Sequence, residues 1–161
     1  MKKLFTLTIF TLFAFNAFAA APSTTKSFDS KATVGQLLNI TQNQLLNFGV
    51  IYVNTTQSGT VVLPVSGSIS SAVHNLAGGE SVGRYTITGD ANAGVSIAVD
   101  NSGTISSGST SLNLTYTPSV TSTTLDNNGS ANLVVGGTLT LASTTPAGVY
   151  TGNFNITLSY Q

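Results

Sequence analysis

The sequence predicts an all-β protein, an antiparallel β-sandwich of roughly 7–9 strands. Short runs rich in Val, Ile, Thr, Leu and Tyr alternate with clusters of Gly, Asn, Asp and Ser at the spacing of strands and turns. No window combines a helical period of apolar residues with helix caps. Pro64 and the pair Gly136-Gly137 interrupt apolar runs, which is typical of strands that bend, bulge or lie at a sheet edge.

Several segments carry a clear strand pattern, because their apolar and polar residues alternate and so point to opposite faces. These segments are Leu45–Val53, Thr60–Val65, Gly83–Thr88, Val95–Val99, Ser111–Thr117, Leu133–Ala142 and Val149–Tyr160. A weaker strand is predicted from about Lys31 to Ile40. The turns between strands include Asn101-Ser102-Gly103 and Asp126–Gly129, whose residue types favour tight reversals of the chain.

The N-terminus has the pattern of a secretory signal peptide. Lys2-Lys3 precedes an apolar run from Leu4 to Phe15, and Ala17-Phe18-Ala19 supplies the small residues of a cleavage site. We therefore expect residues 1–19 to be a signal peptide and the rest of the chain to be secreted. The apolar run is too short for a membrane span, and we expect no transmembrane segment after cleavage.

Charged residues make up only 6% of the chain. Beyond the leader the cations are scattered at Lys26, Lys31 and Arg84, whereas nucleic-acid binding needs a basic stripe, so we predict no nucleic-acid partner. Cysteine is absent, which removes disulfides, thiol catalysis and thiolate metal sites. A surface of Ser, Thr and Asn around recurring apolar residues favours an extracellular β protein over a disordered chain.

The sequence offers no constellation for catalysis or metal binding. His74 is the single histidine and lies in a segment predicted to be a loop, where histidine is usually exposed. There is no G-x-S-x-G motif, and the acidic residues stand in turn-like contexts. Residues 126–130 are similar to the start of a calcium loop, but Gly137 occupies the position of the closing glutamate. We predict no enzyme activity, no cofactor and no metal.

Both ends of the exported chain are predicted to be extended segments. Apolar and polar residues alternate from Tyr150 to Tyr160, one residue before the terminus, and the residues of interest there are Gly148, Tyr150, Phe154, Ile156, Leu158 and Tyr160. Residues 20–31 are polar, and an extended chain from Phe28 through Ala32 to Val34 has one apolar face. We expect residues 20–31 to be an N-terminal extension. Because extended segments can complete a neighbour's open sheet, we also expect this extension to act as a donor strand that reaches as far as residue 34. Residues 32–161 are predicted to form one domain.

Four motifs in order resemble a bacterial exported family known as domain of unknown function 4402. They are LLNFGVI at 45–51, GRYTITGDANAGVSI at 83–97, LVVGGTLTL at 133–141 and PAGVYTGNFNITLSY at 146–160. The organisation also resembles chaperone–usher pilins, including the spore-coat-protein-U-like pilins of the archaic branch. Those pilins have a leader, a polar extension, an immunoglobulin-like sandwich and an alternating last strand, and Gly148 and Tyr160 match their C-terminal signature.

The resemblance to pilins implies an immunoglobulin-like sandwich that a donor strand completes, in a Gram-negative bacterium. It implies that a periplasmic chaperone, and later a neighbouring subunit, contacts the last strand at Phe154, Ile156, Leu158 and Tyr160. The expected function is therefore a structural subunit of a pilus, fimbria or surface coat, with self-association or a chaperone and usher as partners. The alternative is a monomeric secreted, adhesin-like module that binds carbohydrate or another surface. Tyr85, Tyr150 and Phe154 are expected either to form an aromatic platform for a sugar or to pack in the core.

Overall fold

The computed structural model describes residues 23–161, and the predicted signal peptide lies outside the described residues. Residues 34–161 form one compact unit, whereas residues 23–33 belong to another. The described chain is all-β, and none of it forms a helix that is long and apolar enough to cross a membrane. Its strands are β1 Asn39–Gln44, β2 Asn47–Phe48, β3 Ile51–Tyr52, β4 Gly59–Leu63, β5 Ser70–Ser71, β6 Asn75–Leu76, β7 Glu80–Ser81, β8 Gly83–Thr88, β9 Gly94–Val99, β10 Ser102–Ser107, β11 Thr110–Pro118, β12 Ser122–Thr124, β13 Ser130–Leu141 and β14 Ile156–Tyr160.

The strands are more numerous than the sequence predicts, because several very short ones accompany the longer strands. Nine of the fourteen have three or more residues, and five have only two. The predicted strand Leu45–Val53 is divided into β2 and β3 because Gly49 has a φ of 69° between them. A residue with positive φ cannot continue a flat strand, so the two halves pair with different partners, β7 and β6.

The larger sheet has seven strands and is organised around β13. One edge of β13 pairs with β11, which in turn pairs with β10. The other edge pairs with β8 up to Val135 and with β4 from Gly137 onward, while β1 and β5 extend those two branches. The glycine pair predicted to break the strand therefore marks a change of neighbour within a continuous strand. A side chain on Gly136 would meet the carbonyl oxygen of Leu63, so only glycine permits this approach.

A smaller sheet has the order β12-β9-β14 and packs with the larger sheet around a common core, as in a β-sandwich. The alternation predicted for Gly83–Thr88 is confirmed, because Tyr85 and Ile87 are buried while Arg84 and Thr88 are exposed. The buried apolar residues of this core are Phe48, Val61, Leu63, Val82, Tyr85, Ile87, Val95, Ile97, Leu112, Leu114, Tyr116, Leu125, Leu133, Val135, Leu139 and Leu141.

The two ends of the chain differ from the prediction. The weak strand expected from about Lys31 to Ile40 begins only at Asn39, and residues 23–38 form no strand. The regular strand expected over Val149–Tyr160 is confined to β14, and its earlier part makes a single antiparallel bridge from Thr151 to Ser106. Between these two pairings, over residues 152–155, the chain passes from the larger sheet to the smaller sheet.

Candidate assembly groove

An open apolar groove of about 630 Å³ runs along one part of the compact unit. Its two flanks are the segment Leu45–Val53, which contains β2 and β3, and the segment Thr145–Gly152 before β14. The core side chains that line the groove come from β10, β11 and β13 and are Ile105, Leu112, Leu114, Tyr116, Leu139 and Leu141. No backbone hydrogen bond joins the two flanks.

Exposed apolar side chains are concentrated on the flanks of this groove. Val149 is 82% exposed and Tyr52 is 63% exposed, and Leu45 and Val50 are exposed beside them. Soluble monomeric domains seldom leave large contiguous apolar patches in water, and such patches usually mark an interaction site. The groove is therefore the strongest candidate binding surface of the compact unit.

Two aromatic rings, Tyr116 and Phe154, line the groove, and Tyr85 contacts them from the core. The ring of Phe154 stacks on Tyr116, with centroids 4.3 Å apart, and meets Tyr85 edge-on at 6.2 Å. Burial raises the pKa of Tyr116 above its ordinary value, and the negative charge of Asp100 acts in the same direction. Burial also raises the pKa of Tyr85, although a hydrogen bond with Gln42 partly opposes this effect. Both shifts follow from the burial of the two hydroxyl groups in the core.

The C-terminal segment changes sheets as it passes these rings. Thr151 and Ser106 exchange backbone hydrogen bonds of 3.0 and 2.8 Å, which hold the segment on β10. Four residues later the carboxylate of Asp100 accepts the backbone N–H of Asn155 at 2.8 Å and its side-chain amide at 3.0 Å. The chain then pairs with β9 as β14. Asp100 therefore fixes the crossing between the two sheets.

The residues predicted for the assembly strand do not lie on one strand. Ile156, Leu158 and Tyr160 belong to β14, and Ile156 and Leu158 pack against the core. Phe154 and Tyr150 also pack against the core but line the groove, as does Gly148. The outer edge of β14 pairs with no other strand of the described residues, so it remains open to a partner.

The residues predicted for the donor strand lie in the described part of the extension. Phe28 is 80% exposed, Val34 is 94% exposed, and Ala32 is also exposed. Lys26 lies over the Phe28 ring with its Nζ 5.8 Å from the centroid. None of these residues belongs to a strand, and each leaves its side chain available for a partner.

Sequence reasoning missed the structural role of His74. It was expected in an exposed loop, but it is 5% exposed and its Nδ1 accepts the backbone N–H of Asn54 at 3.1 Å. Its Nε2 is buried without a hydrogen-bond partner. Asn54 follows β3 by two residues, so the imidazole secures the end of the flank Leu45–Val53. A lone histidine in a polar segment gives no sequence signal for this role.

The fold and the groove define a class of protein, an all-β sandwich-like domain with an open apolar groove and an unpaired C-terminal strand edge. The chain belongs to the family described as Domain of unknown function (DUF4402), whose sequence profile matches residues 38–160. The resemblance of the four motifs to this family is therefore confirmed. No curated protein and no solved structure gave a significant match to the chain.

Proposed function

We propose that this protein is a structural subunit of a bacterial pilus, fimbria or surface coat that assembles by β-strand complementation. The observation that carries the proposal is the groove between Leu45–Val53 and Thr145–Gly152, whose base is the hydrophobic core itself. An extended segment laid into it would cover core leucines and bury the exposed side chains of Tyr52 and Val149. Burial of one such large apolar side chain stabilises by about 1.5–3 kcal/mol, so the groove favours an apolar occupant.

The proposed occupant is the N-terminal extension of a second copy. Phe28, Ala32 and Val34 alternate with polar residues, so one face of the extended chain can enter the groove while the other faces water. Ser30, the remaining residue on that face, is small and lets the backbone approach closely. The extension is held by no strand pairing of its own, and it is therefore free to pair elsewhere.

Export and assembly complete the proposal. The predicted signal peptide directs the chain to the periplasm of a Gram-negative bacterium and then to the cell surface or beyond. A subunit with an open apolar groove would aggregate in transit, because exposed apolar surface and unpaired strand edges associate non-specifically. The proposed partners are therefore a periplasmic chaperone that covers the groove during transit and an usher that receives the subunit.

A peptide complementation experiment tests the proposal. A peptide of residues 23–35 added to the chain 35–161 should raise its melting temperature in proportion to the logarithm of the peptide concentration above Kd, since a ligand at 100 times its Kd stabilises by about 2.7 kcal/mol. The matched control peptide carries Phe28→Asp and should give little shift. In parallel, the exported chain 20–161 should form polymers while 35–161 stays monomeric. If both chains are monomers with the same melting temperature and the peptide does nothing, the proposal is wrong.

A groove variant locates the interaction. Val149→Arg should abolish polymer formation without loss of folding, because the side chain is 82% exposed and lines the groove. Val120→Arg is the control, since Val120 is exposed but lies outside the groove, and it should polymerise as the parent chain does. Equal effects of the two variants would contradict the groove as the assembly site.

A second candidate function is a monomeric, adhesin-like module that binds a carbohydrate or another surface. The observation in its favour is the size of the groove, which lies in the range of small-molecule sites, together with the aromatic residues Tyr52, Tyr150 and Phe154 along it. A monomeric 20–161 chain that binds a glycan array and loses that binding with Tyr52→Ala would favour this function over assembly.

A further inference from the structure

The outer edge of β14 carries a row of backbone groups that pair with no other strand. In an antiparallel ladder the N–H and C=O of one residue point to the same side, and successive residues point to opposite sides. Gln161 donates its backbone N–H to Gly94 in β9, so Gln161 and every second residue before it face β9. Ile156, Leu158 and Tyr160 therefore point their N–H and C=O groups away from β9. Within the described residues these backbone groups have no partner.

The other outer edges of the two sheets are protected, whereas the edge of β14 is not. Proteins protect an exposed edge with a bulge, a very short strand, a covering segment or a charged side chain. β1 has a bulge between Gln42 and Gln44, and β5 and β12 have only two and three residues. β10 is covered at Ser106 by the backbone of Thr151. β14 pairs regularly with β9 over five residues and has no charged side chain, so its edge is the best suited to a partner strand.

Both ends of β14 are fixed in place. Asp100 holds Asn155 at one end, through the two hydrogen bonds to its carboxylate. At the other end the hydroxyl of Tyr160 donates to the backbone carbonyl of Gln36 at 2.7 Å and accepts the backbone N–H of Asp90 at 2.8 Å. Because the strand is already ordered, a partner that pairs with it does not have to offset the cost of ordering it.

The sequence of β14 is complementary to itself in the antiparallel direction. When two copies meet about a two-fold axis at Leu158, this residue lies opposite its own copy and Ile156 lies opposite Tyr160. Each outward N–H then meets an outward C=O of the other copy. Apolar side chains lie opposite apolar side chains on the core face, and Thr157 lies opposite Ser159 on the exposed face. Apolar pairs and hydroxyl pairs of this kind stabilise antiparallel strands.

We propose that β14 pairs with β14 of a second copy of this chain and joins the two smaller sheets into one continuous antiparallel sheet. A charged partner strand would find no opposite charge on β14, whereas a second copy matches it along its whole length. The contact lies outside the groove, whose lining ends at Phe154. It goes beyond the proposed function, because a two-fold contact connects subunits in pairs and so links neighbouring rows of subunits in a filament or coat.

Cysteine cross-linking tests both the contact and its register, because the chain has no cysteine of its own. Thr157 and Ser159 are exposed, so both positions accept a thiol without loss of folding. In the proposed pairing their Cα atoms lie about 4.5 Å apart across the axis, which a disulfide can span. An equal mixture of the chains 20–161 with Thr157→Cys and with Ser159→Cys should form a disulfide-linked dimer under mild oxidation. Each chain alone should form little dimer, because each introduced thiol then faces a hydroxyl.

Charge on the edge gives a second test, in which the reference chain is 20–161 with Val149→Arg, so that groove binding does not contribute to the measured mass. Thr157→Lys with Ser159→Lys places lysine opposite lysine across the axis and should abolish the concentration-dependent dimer in sedimentation. The matched control, Asn113→Lys with Thr117→Lys, adds the same charge to exposed positions of the inner strand β11. It should dimerise as the reference chain does.

The outcomes separate this inference from the proposed function. A cross-linked dimer that forms only in the mixture, with or without Val149→Arg, supports β14 pairing whether or not the groove is used. If the mixture forms no more dimer than each chain alone, the inference is wrong even where the parent polymerises through the groove. A dimer from Thr157→Cys alone also overturns the proposed pairing. If the peptide of residues 23–35 suppresses the dimer in the Val149→Arg chain, the edge binds the extension and not a second β14, and the inference is wrong.

Discussion

The two ends of the sandwich show how one core can be closed at one end and open at the other. Near Tyr160 the smaller sheet covers the core, and Val95, Ile87 and Leu133 are fully buried. Near Tyr150 the chain has moved to the edge of β10, and the leucines of β11 and β13 line a groove instead. The difference shows that the chain leaves the larger sheet between Thr151 and Asn155, and that the groove lies on the side of this crossing nearer Tyr150.

The largest effect on stability is expected when one leucine is removed from each half of β13. Leu133→Ala, in the closed half, should lower the free energy of unfolding by about 2–5 kcal/mol, because it leaves an enclosed cavity. Leu139 is also buried, but it lines the groove, so the space that Leu139→Ala leaves is open to the groove and the substitution should cost less in the chain 35–161. Denaturant unfolding of both variants measures the difference.

The same pair of variants has an internal control. When the peptide of residues 23–35 fills the groove, the space left by Leu139→Ala becomes enclosed, and the cost of Leu139→Ala should rise towards that of Leu133→Ala. The cost of Leu133→Ala should stay constant with and without peptide. Equal costs for the two variants in the empty state would show that the groove half of the core is as well packed as the closed half.

Much of the closed half could be predicted from the sequence. Gly83–Thr88 was predicted with the bounds it has, because alternation and flanking glycines both point to a strand with one buried face. The adjoining β9 differs from its predicted bounds by one residue at Gly94. These strands depend on local pattern alone, and their neighbours in space agree with it.

The open half was harder to predict because tertiary context overrides local pattern there. Ser102–Ser107 was expected to begin as a turn, since Ser and Gly occupy its first positions. In the structure Ser102 pairs with Thr115 and Gly103 pairs with Leu114, so both residues belong to β10. The regular alternation from Val149 to Tyr160 concealed a change of sheet at Asn155. Alternation records which side chains face the core and does not record which strand edge pairs with the backbone.

A smaller effect is expected from loosening one flank of the groove. His74→Ala removes the acceptor for the Asn54 N–H, and a buried group left without its partner costs about 1–3 kcal/mol. His74→Asn is the matched control, because its side-chain oxygen can replace Nδ1 as the acceptor. Amide exchange at Asn54 should speed up in His74→Ala and remain near the parent rate in His74→Asn. Exchange that changes equally in both variants would mean that the imidazole acts through packing alone.

The smallest expected effect is the loss of stability at high pH that is caused by two buried tyrosines, Tyr85 and Tyr116. Burial raises the pKa of Tyr85 and of Tyr116 above the ordinary value of about 10. The folded state therefore holds these protons more tightly than the unfolded state, so this stabilisation is complete below about pH 10 and is lost as pH rises through the folded pKa. Denaturant midpoints should fall above about pH 10, and less steeply in Tyr116→Phe and Tyr85→Phe.

Filling the groove should separate these two groups. Tyr116 lines the groove and Tyr85 does not, so the peptide of residues 23–35 should bury Tyr116 further and shift its ionisation to higher pH. Nuclear magnetic resonance titration of the labelled tyrosine rings resolves each tyrosine, and it should show this shift at Tyr116 on addition of peptide and none at Tyr85. A shift of both tyrosines would mean that the peptide changes the packing of the whole core, and the division into a closed and an open half would no longer hold.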